Sequence, residues 1–556
     1  MLSLLIAHII ITACCFWSGY LFYALMSKQN VQRSGTFYLI SGLISLTILA
    51  QIMVLFFPIG SITKLILAAI LLASAAFKWN DCKSLFNKTF LELSTWSTLS
   101  LILLLVSWIT VLLMSAGPTM MDDTESYHIQ SIKWIQEYGS IPGLVNLHER
   151  FGFNSSWFSS VALFSFSSKT TGGYTVLNSV LSMWLCYWFI SKHNHFRKEN
   201  NFQAAFAILI IFIASMAVWP LIRGNAATTN YDFITSAIVL ILFTESFFSE
   251  NISHSIEWII WPVYLFTVRI INFPVLALSV FAFIIFIKQK NFKAAFLPIA
   301  CCLLLIVPLV IRNIIIAGYP FYPATYFDLT NVDWKPDPQL TERLIEYIKY
   351  YNRVSTTYLE IDQTKALGAS WIPAWFKYLF LFDKILVLAG LTGILFSSVN
   401  LFIQKRNYNR SIIMGVLIAW LICWFAVSPD PRFVYGVLLF GIFLLAYHIM
   451  SFIKDTGRIK FSLSALLILM IAGLSYYLVS KPLKQTEYRN WVSPLQLPQP
   501  PVKETVIDGI IFRIPGLINN NWNARCYGTE LPCLYKIDHR LKARGINIRS
   551  GFHLEK

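Results

Sequence analysis

The sequence predicts an all-α polytopic membrane protein of about fourteen transmembrane helices, and three observations carry that prediction. Of 556 residues, 56% are hydrophobic and 13% charged, with a mean hydropathy of +0.60. Ordinary soluble domains carry roughly 25% charged residues. Apolar runs of about twenty residues recur, each enough to cross a hydrocarbon core of about 30 Å. They lack strand alternation, and in lipid only helices and closed barrels satisfy their backbone groups. Third, basic residues gather in alternate short loops: Lys28 and Arg33; Lys78, Lys83 and Lys88; Lys192, Arg197 and Lys198; Lys288, Lys290 and Lys293; Lys405, Arg406 and Arg410; Lys454, Arg458 and Lys460. This positive-inside pattern reads those loops as cytoplasmic. It also explains much of the formal charge of +16 without a nucleic-acid partner.

The elements follow in order from that orientation. Leu2–Met26 is too long for a signal-peptide core and lacks a suitable cleavage site, so it reads as an uncleaved span running inward. Phe37–Phe57 returns outward to the turn Pro58-Ile59-Gly60-Ser61, and Ile62–Phe77 goes back. Trp96–Met114 emerges and places Met120-Met121-Asp122-Asp123-Thr124-Glu125-Ser126-Tyr127-His128 outside. Tyr127, Ile129, Ile132, Trp134, Ile135 and Tyr138 then mark an amphipathic helix too polar to span, expected to lie along the membrane surface. After Gly139-Ser140-Ile141-Pro142-Gly143, a semi-apolar helix runs to Ser168.

Tyr174–Ile190 goes in, Phe202–Val218 comes out and Phe233–Phe248 returns. Trp258–Ile271 and Phe273–Ile287 read as two short spans joined around Arg269, Asn272 and Pro274. Ala294–Ala317, Phe376–Ile403, Ser411–Val427, Phe433–Ser451 and Phe461–Val479 complete the set. The membrane part is thus 1–480, with outer loops at 115–173, 219–232, 318–375 and 428–432. A short extracytoplasmic tail covers 481–556.

Cys14, Cys15, Cys186, Cys301, Cys302 and Cys423 lie in apolar runs and read as small core residues. Cys526 and Cys533 sit close together in the external tail, where a disulfide is expected. No further Cys or His pair supports zinc.

A charge at mid-bilayer costs about 2.5–3.5 kcal/mol, so charges gathered at span ends on one side mark a site. The outer ends collect Asp122, Asp123, His128, Arg223, Asp232, Arg269, Arg312, Asp430 and Arg432. Several arginines suit a phosphate-bearing ligand, because guanidinium grips phosphate oxygens in a fork. Plainer roles compete for some of them. Asp122, three residues before Glu125, has capping-box spacing. Asp232 stands where a cap for a helix beginning at Phe233 would be. His128 and His148 read as hydrogen-bonding interface residues before they read as ligands, and Arg150, Arg223 and Arg432 read equally as snorkelling headgroup contacts. Arg269, between two apolar stretches, is harder to explain that way.

A span ending in an acidic pair, a first outer loop with amphipathic helices and many further spans resemble the GT-C superfamily of integral-membrane glycosyltransferases. The loop from Arg223 to Asp232, the segment Arg312-Asn313 to Gly318-Tyr319-Pro320-Phe321-Tyr322-Pro323 and the turn Pro429-Asp430-Pro431-Arg432-Phe433 fit the same comparison. More narrowly, Asn146-Leu147-His148-Glu149-Arg150, Asn154-Ser155-Ser156-Trp157, Cys526 with Pro532-Cys533, Arg544-Gly545 and Gly551-Phe552 resemble an uncharacterised family of bacterial multi-spanning membrane proteins.

The resemblance implies a GT-C-like fold in the bacterial inner membrane, with active site and C-terminus facing the periplasm. It implies a transferase that moves a sugar from a polyprenyl-phosphate-linked donor to a glycan, lipid or protein acceptor. The catalytic candidates are then Asp122 and Asp123, as general base or as ligands of a divalent cation, magnesium or manganese. The substrate-binding candidates are His128, His148, Arg150, Arg223, Asp232, Arg269, Arg312 and Arg432. The chain departs from the superfamily in its short tail and in the three spans that precede the one ending at the acidic pair. A surface-polysaccharide polymerase or ligase, and a lipid or glycan transporter, are the competing readings.

Overall fold

The structure, a computed structural model, describes residues 1–26, 33–217, 222–249, 256–288, 292–354, 361–403, 408–453, 456–517 and 525–555. Lys28, Lys290, Lys405, Arg406 and Lys454 of the basic loops lie outside the described residues, as do Trp219, Pro220 and Leu221 of the second outer loop.

Each of the apolar segments expected to span is helical over most of its length. Ten of the described helices are long and apolar enough to cross a membrane, or up to eleven if a bent pair is one span, against the fourteen expected. The remaining segments fall short for separate physical reasons. Ser61–Phe77 turns by 90° into the polar helix Trp79–Ser94. Thr171–Lys198 is long, but Asn178, Ser179 and Ser182 interrupt its apolar run. Phe202–Ala217 and Ile256–Val268 have only 16 and 13 residues. Peripheral helices expose Ile62, Leu65, Leu72, Phe283, Leu388 and Leu469, as lipid-facing surfaces do. The chain is a multi-pass helical membrane protein.

Packing explains how the helices approach one another. Leu2–Met26 lies against Gly35–Phe56, and a methyl group on Gly19 or Gly42 would overlap the carbonyls of Tyr38 or Cys15. Small residues at such crossings let membrane helices close to van der Waals contact. Tyr231–Phe248 and Pro431–Ser451 are the most enclosed of the ten, with 83% and 72% of their apolar windows buried. Each begins with residues of the charged cluster described below.

The helix after the acidic pair does not rest on the headgroup layer. Ile129 to Ile135 are all buried, with Ile129, Ile132 and Ile135 packed into the bundle core. Its other side faces the C-terminal tail, which shares with the first outer loop a second core containing Tyr127, Trp134, Leu144, Tyr319, Phe512 and Phe552. A helix with two buried faces has no surface left for lipid.

The tail holds two antiparallel strand pairs, Val502–Ile507 with Ile510–Pro515 and Leu541–Ala543 with Phe552–Leu554. The expected disulfide joins Cys526 and Cys533. Before the strands, the chain runs past the ends of several helices: Leu495 N–H donates to Ala116 O and Thr171 N–H to Leu495 O, at 2.9 and 2.8 Å. Leu2 N–H donates to Trp491 O at 2.9 Å. The tail therefore ties both the first span and the first outer loop.

Candidate active site at one end of the helix bundle

Local structure places each charged group. Asp123 lies at the start of a helical segment whose next turn, Thr124–His128, is π-helical. Such widened turns often occur at functional sites, and this one directs Tyr127 and His128 inward, where both are buried. Asn230, not Asp232, caps Tyr231–Phe248: its side chain accepts from Asp232 N–H at 3.0 Å. Asp232 is one residue inside the helix, so its carboxylate is free of capping duty. Arg269 occupies an extended residue between Ile256–Val268 and the 3-10 turn Ile270–Val275, the break expected between two short spans.

The turn carrying Arg432 is fastened from several sides. Trp375 donates to Pro429 O and Trp424 to Asp430 O, both at 2.7 Å. The Asp430 carboxylate accepts from Arg432 N–H at 3.0 Å.

These segments bring Asp123, Asp232 and Asp430 together with Arg150, Arg269 and Arg432 in one network. Arg150 Nη1 is 2.9 Å from Asp123 Oδ1. Arg432 lies 3.8 Å from Asp123, 3.9 Å from Asp232 and 3.0 Å from Asp430. Arg269 donates to Asp232 and stands 3.6 Å over the Phe433 ring, with Tyr231 on another side at 5.6 Å. Aromatic faces hold the guanidinium planes by cation–π attraction, and Tyr127 does the same for Arg150 at 5.3 Å. Burial alone would raise the Asp123 carboxyl. The positive charge of Arg432 and Arg150 outweighs that and holds it below its ordinary value, so it is ionised at neutral pH.

Both candidate histidines are neutral, His128 buried and His148 mostly so, their pKa pushed down to about 4 by desolvation. His128 Nδ1 is 3.0 Å from Thr229 Oγ1, while its buried Nε2 meets no partner among the described residues. His148 Nδ1 accepts from Arg150 N–H at 3.0 Å. That bond requires the unprotonated nitrogen, so the 3.5 Å approach to Glu149 is not an ion pair. His148 buttresses Arg150, as an interface histidine would.

Asp122 points elsewhere. Its carboxylate, 68% exposed, is 2.9 Å from Arg525 in the tail, and Glu125 binds the same guanidinium. Asp122 and Glu125 thus converge on an arginine, where capping-box spacing would have sent Glu125 to the helix start. The two carboxylates of the acidic pair face different guanidinium groups. Among the described residues no three His, Cys, Asp or Glu side chains come together as a metal site.

Arg312 and Arg223 stand outside the network. Arg312 is only 5% exposed, donates to the Asn154 side chain, and has no carboxylate partner among the described residues. Its Nε is buried without a partner. Asn154 adjoins Ser155, whose hydroxyl donates to Val268 O at 2.7 Å beside Arg269, so this guanidinium borders the network through one short segment. Arg223 donates to Ala217 O at 2.8 Å and lies 4.6 Å over the Tyr477 ring, away from Asp123.

Sequence reasoning counted Asp430 among the outer acids but not among the site residues, and it missed Tyr127, Tyr231, Glu125 and Arg525. Tyr231 was legible within Asn230-Tyr231-Asp232, since a ring beside a buried acid invites an arginine. Arg525 had no local signal except its place next to Cys526.

Fold and site together define a class: a multi-pass helical membrane protein whose arginine–carboxylate network lies at one end of the bundle, beside its own C-terminal tail. The chain belongs to the DUF8201 family, described as a domain of unknown function, whose model matches residues 1–439. The match takes in every member of the network and leaves out the tail. No curated protein matches the chain, and no solved structure does.

Proposed function

We propose that this protein is a glycosyltransferase that moves a sugar from a polyprenyl-phosphate-linked donor to a glycan, lipid or protein acceptor. The reaction takes place at the extracytoplasmic face of a bacterial inner membrane. The observation that carries the reading is Asp123, an ionised and half-buried carboxylate set between Arg150 and Arg432 at the end of the bundle.

Asp123 takes the proton of the acceptor hydroxyl as that oxygen attacks the anomeric carbon. The bond from that carbon to the donor phosphate breaks, and the phosphate leaves with the electron pair. Arginines neutralise the charge that develops on it. Arg312 suits the leaving phosphate, because its donors are not already engaged by a carboxylate. A carboxylate gripped by two arginines is a weak base. When an incoming phosphate draws Arg432 or Arg150 away, Asp123 becomes the stronger base at the moment it is needed. Asp122 has a structural role through Arg525. The two carboxylates of the pair are held by guanidinium groups on different elements, which does not fit a divalent ion shared between them.

One observation favours a second reading. The helix broken at Arg269 is the kind of feature that transporters place at their substrate sites. Mass spectrometry of lipid-linked glycans in a deletion strain separates the two. Accumulation of unmodified acceptor supports transfer, whereas glycan lost from one side of the membrane only supports transport. A reconstituted assay with a synthetic polyprenyl-phosphate sugar that yields no product with any acceptor glycan, lipid or peptide removes the transferase reading.

A further inference from the structure

A cavity of about 460 Å³ opens between Arg223, Tyr477, Lys481, Pro482, Gln485 and Tyr488. Tyr477 is near the end of the last span, Lys460–Ser480, and Lys481 to Gln485 form the turn that follows it. Arg223 enters from the short helix after Phe202–Ala217. The cavity therefore sits where a membrane span meets water.

Its chemistry is one-sided. Two cations face it, and no carboxylate lines it. The Arg223 guanidinium stands over the Tyr477 ring, 4.6 Å from its centroid, and the Tyr477 hydroxyl donates to Met114 Sδ at 3.2 Å. Tyr488 is buried and packs across Gly117, which makes the far wall rigid. Lys481 is exposed, and its ammonium has no ion-pair partner among the described residues. The nearest acid in sequence, Glu487, is exposed and outside the lining. A guanidinium and an exposed ammonium lining one cavity suit a phosphate diester, the first by its fork and the second as a point charge. The volume lies within the usual range of small-ligand sites, about 300–1,000 Å³, and exceeds what a bare phosphate fills. Tyrosines near the ends of spans, as Tyr477 is, are the ones that stand among headgroups.

We propose that this cavity binds the headgroup of an anionic phospholipid from the surrounding bilayer, its phosphate between Arg223 and Lys481 and its small polar substituent against Gln485. The site is separate from Asp123, and the proposal holds whether or not the protein transfers sugar. It gives the last span a lipid-bound anchor at the point where the tail begins.

The test uses the full chain in neutral detergent micelles, with native mass spectrometry and thermal unfolding as readouts. The probes are a short-chain phosphatidylglycerol, the phosphatidylcholine of equal chain length, and free glycerol phosphate. Phosphatidylglycerol is expected to remain bound and raise the unfolding temperature, at an apparent affinity at least tenfold above phosphatidylcholine. Lys481→Gln, an exposed change that leaves the fold alone, should lower that affinity at least fivefold, and Arg223→Gln more. Lys484→Gln, outside the lining, should leave it unchanged. Equal retention of phosphatidylcholine overturns the proposal, as does an unaltered affinity in Lys481→Gln. Glycerol phosphate that competes at the same concentration as the lipid also overturns it, by showing that a soluble phosphate is the ligand.

Discussion

Asp122 and Asp123 are consecutive, yet their carboxylates pair with different arginines: Asp122 with Arg525 and Asp123 with Arg150, each at 2.9 Å. The backbone of a helix turns about 100° per residue, so neighbours cannot share one face. One acid therefore looks into the network and the other toward the tail. Under the proposed function, Asp123→Asn should reduce transfer by at least about a hundredfold, the usual scale of a lost general base. Asp122→Asn should stay within about twofold of the parent. A reconstituted transfer assay with both purified variants checks this, and equal losses in the two would break the assignment.

Arg269 and Asp232 offer a stability test that needs no substrate. The Asp232 side chain is 8% exposed and paired with Arg269. Removing one partner of a buried pair typically costs about 3–5 kcal/mol, because a charge is left behind without compensation. Arg269→Ala should lower the unfolding temperature in detergent markedly. Adding Asp232→Asn should recover part of that loss, since the stranded charge is gone. Losses that simply add would show that the two groups do not interact.

The clasp between tail and first loop is testable through Arg525. Its side chain is 8% exposed and meets both Asp122 and Glu125. Nearby, Gln130 and Lys133 donate to the carbonyls of Tyr527, Gly528 and Thr529. Arg525→Ala, and separately Cys526→Ser with Cys533→Ser, should expose the 525–533 loop to limited proteolysis at least tenfold faster. The spans should be cleaved no faster than in the parent. Unchanged cleavage of the loop would mean that the shared apolar core alone holds the tail.

His128 and His148 set a pH dependence with a definite sign. Their ordinary value of 6.5 falls to about 4 on burial, so between those limits the unfolded chain binds protons more readily. Stability is therefore full above about pH 6.5 and falls as pH drops toward 4, by roughly 3 kcal/mol per ring. Asp123 works in another window: its carboxyl lies below the ordinary 3.8, so its contribution persists there and is lost only at lower pH. The double variant His128→Gln with His148→Gln should show a flatter fall of unfolding temperature between pH 6.5 and 4. Parallel curves for parent and variant would contradict it.

Much of this was legible in the chain because lipid enforces simple rules. Apolar length announced the helices, and the acids and arginines gathered at span ends announced the network. What stayed hidden depended on contacts distant in sequence. The Ile129–Glu137 helix has the amphipathic pattern of a headgroup-layer helix, and nothing local says that a tail will cover its polar side. A capping role for Asp232 stood beside a binding one because Asn230, two residues earlier, is an equally good cap, and spacing cannot choose between them. The span count differed because Ser61–Phe77 bends sharply into a polar helix, and because Thr171–Lys198 and the two short apolar helices sit among other helices. There, length and apolarity are not the only route to burial.

The tie between Arg525 and Glu125 also sets an order of events during synthesis. The two residues are 400 positions apart. At about 5–20 residues per second, the first outer loop waits roughly 20–80 s for its partner to be made. Through that interval Lys133, Gln130 and the acids of the loop must be hydrated or guarded by another protein. The end of the bundle can be finished only after the last span has been threaded. A ribosome stalled after the Lys460–Ser480 span has been threaded but before Arg525 emerges would leave the spans in the membrane and the bundle open at the one end where its charges meet.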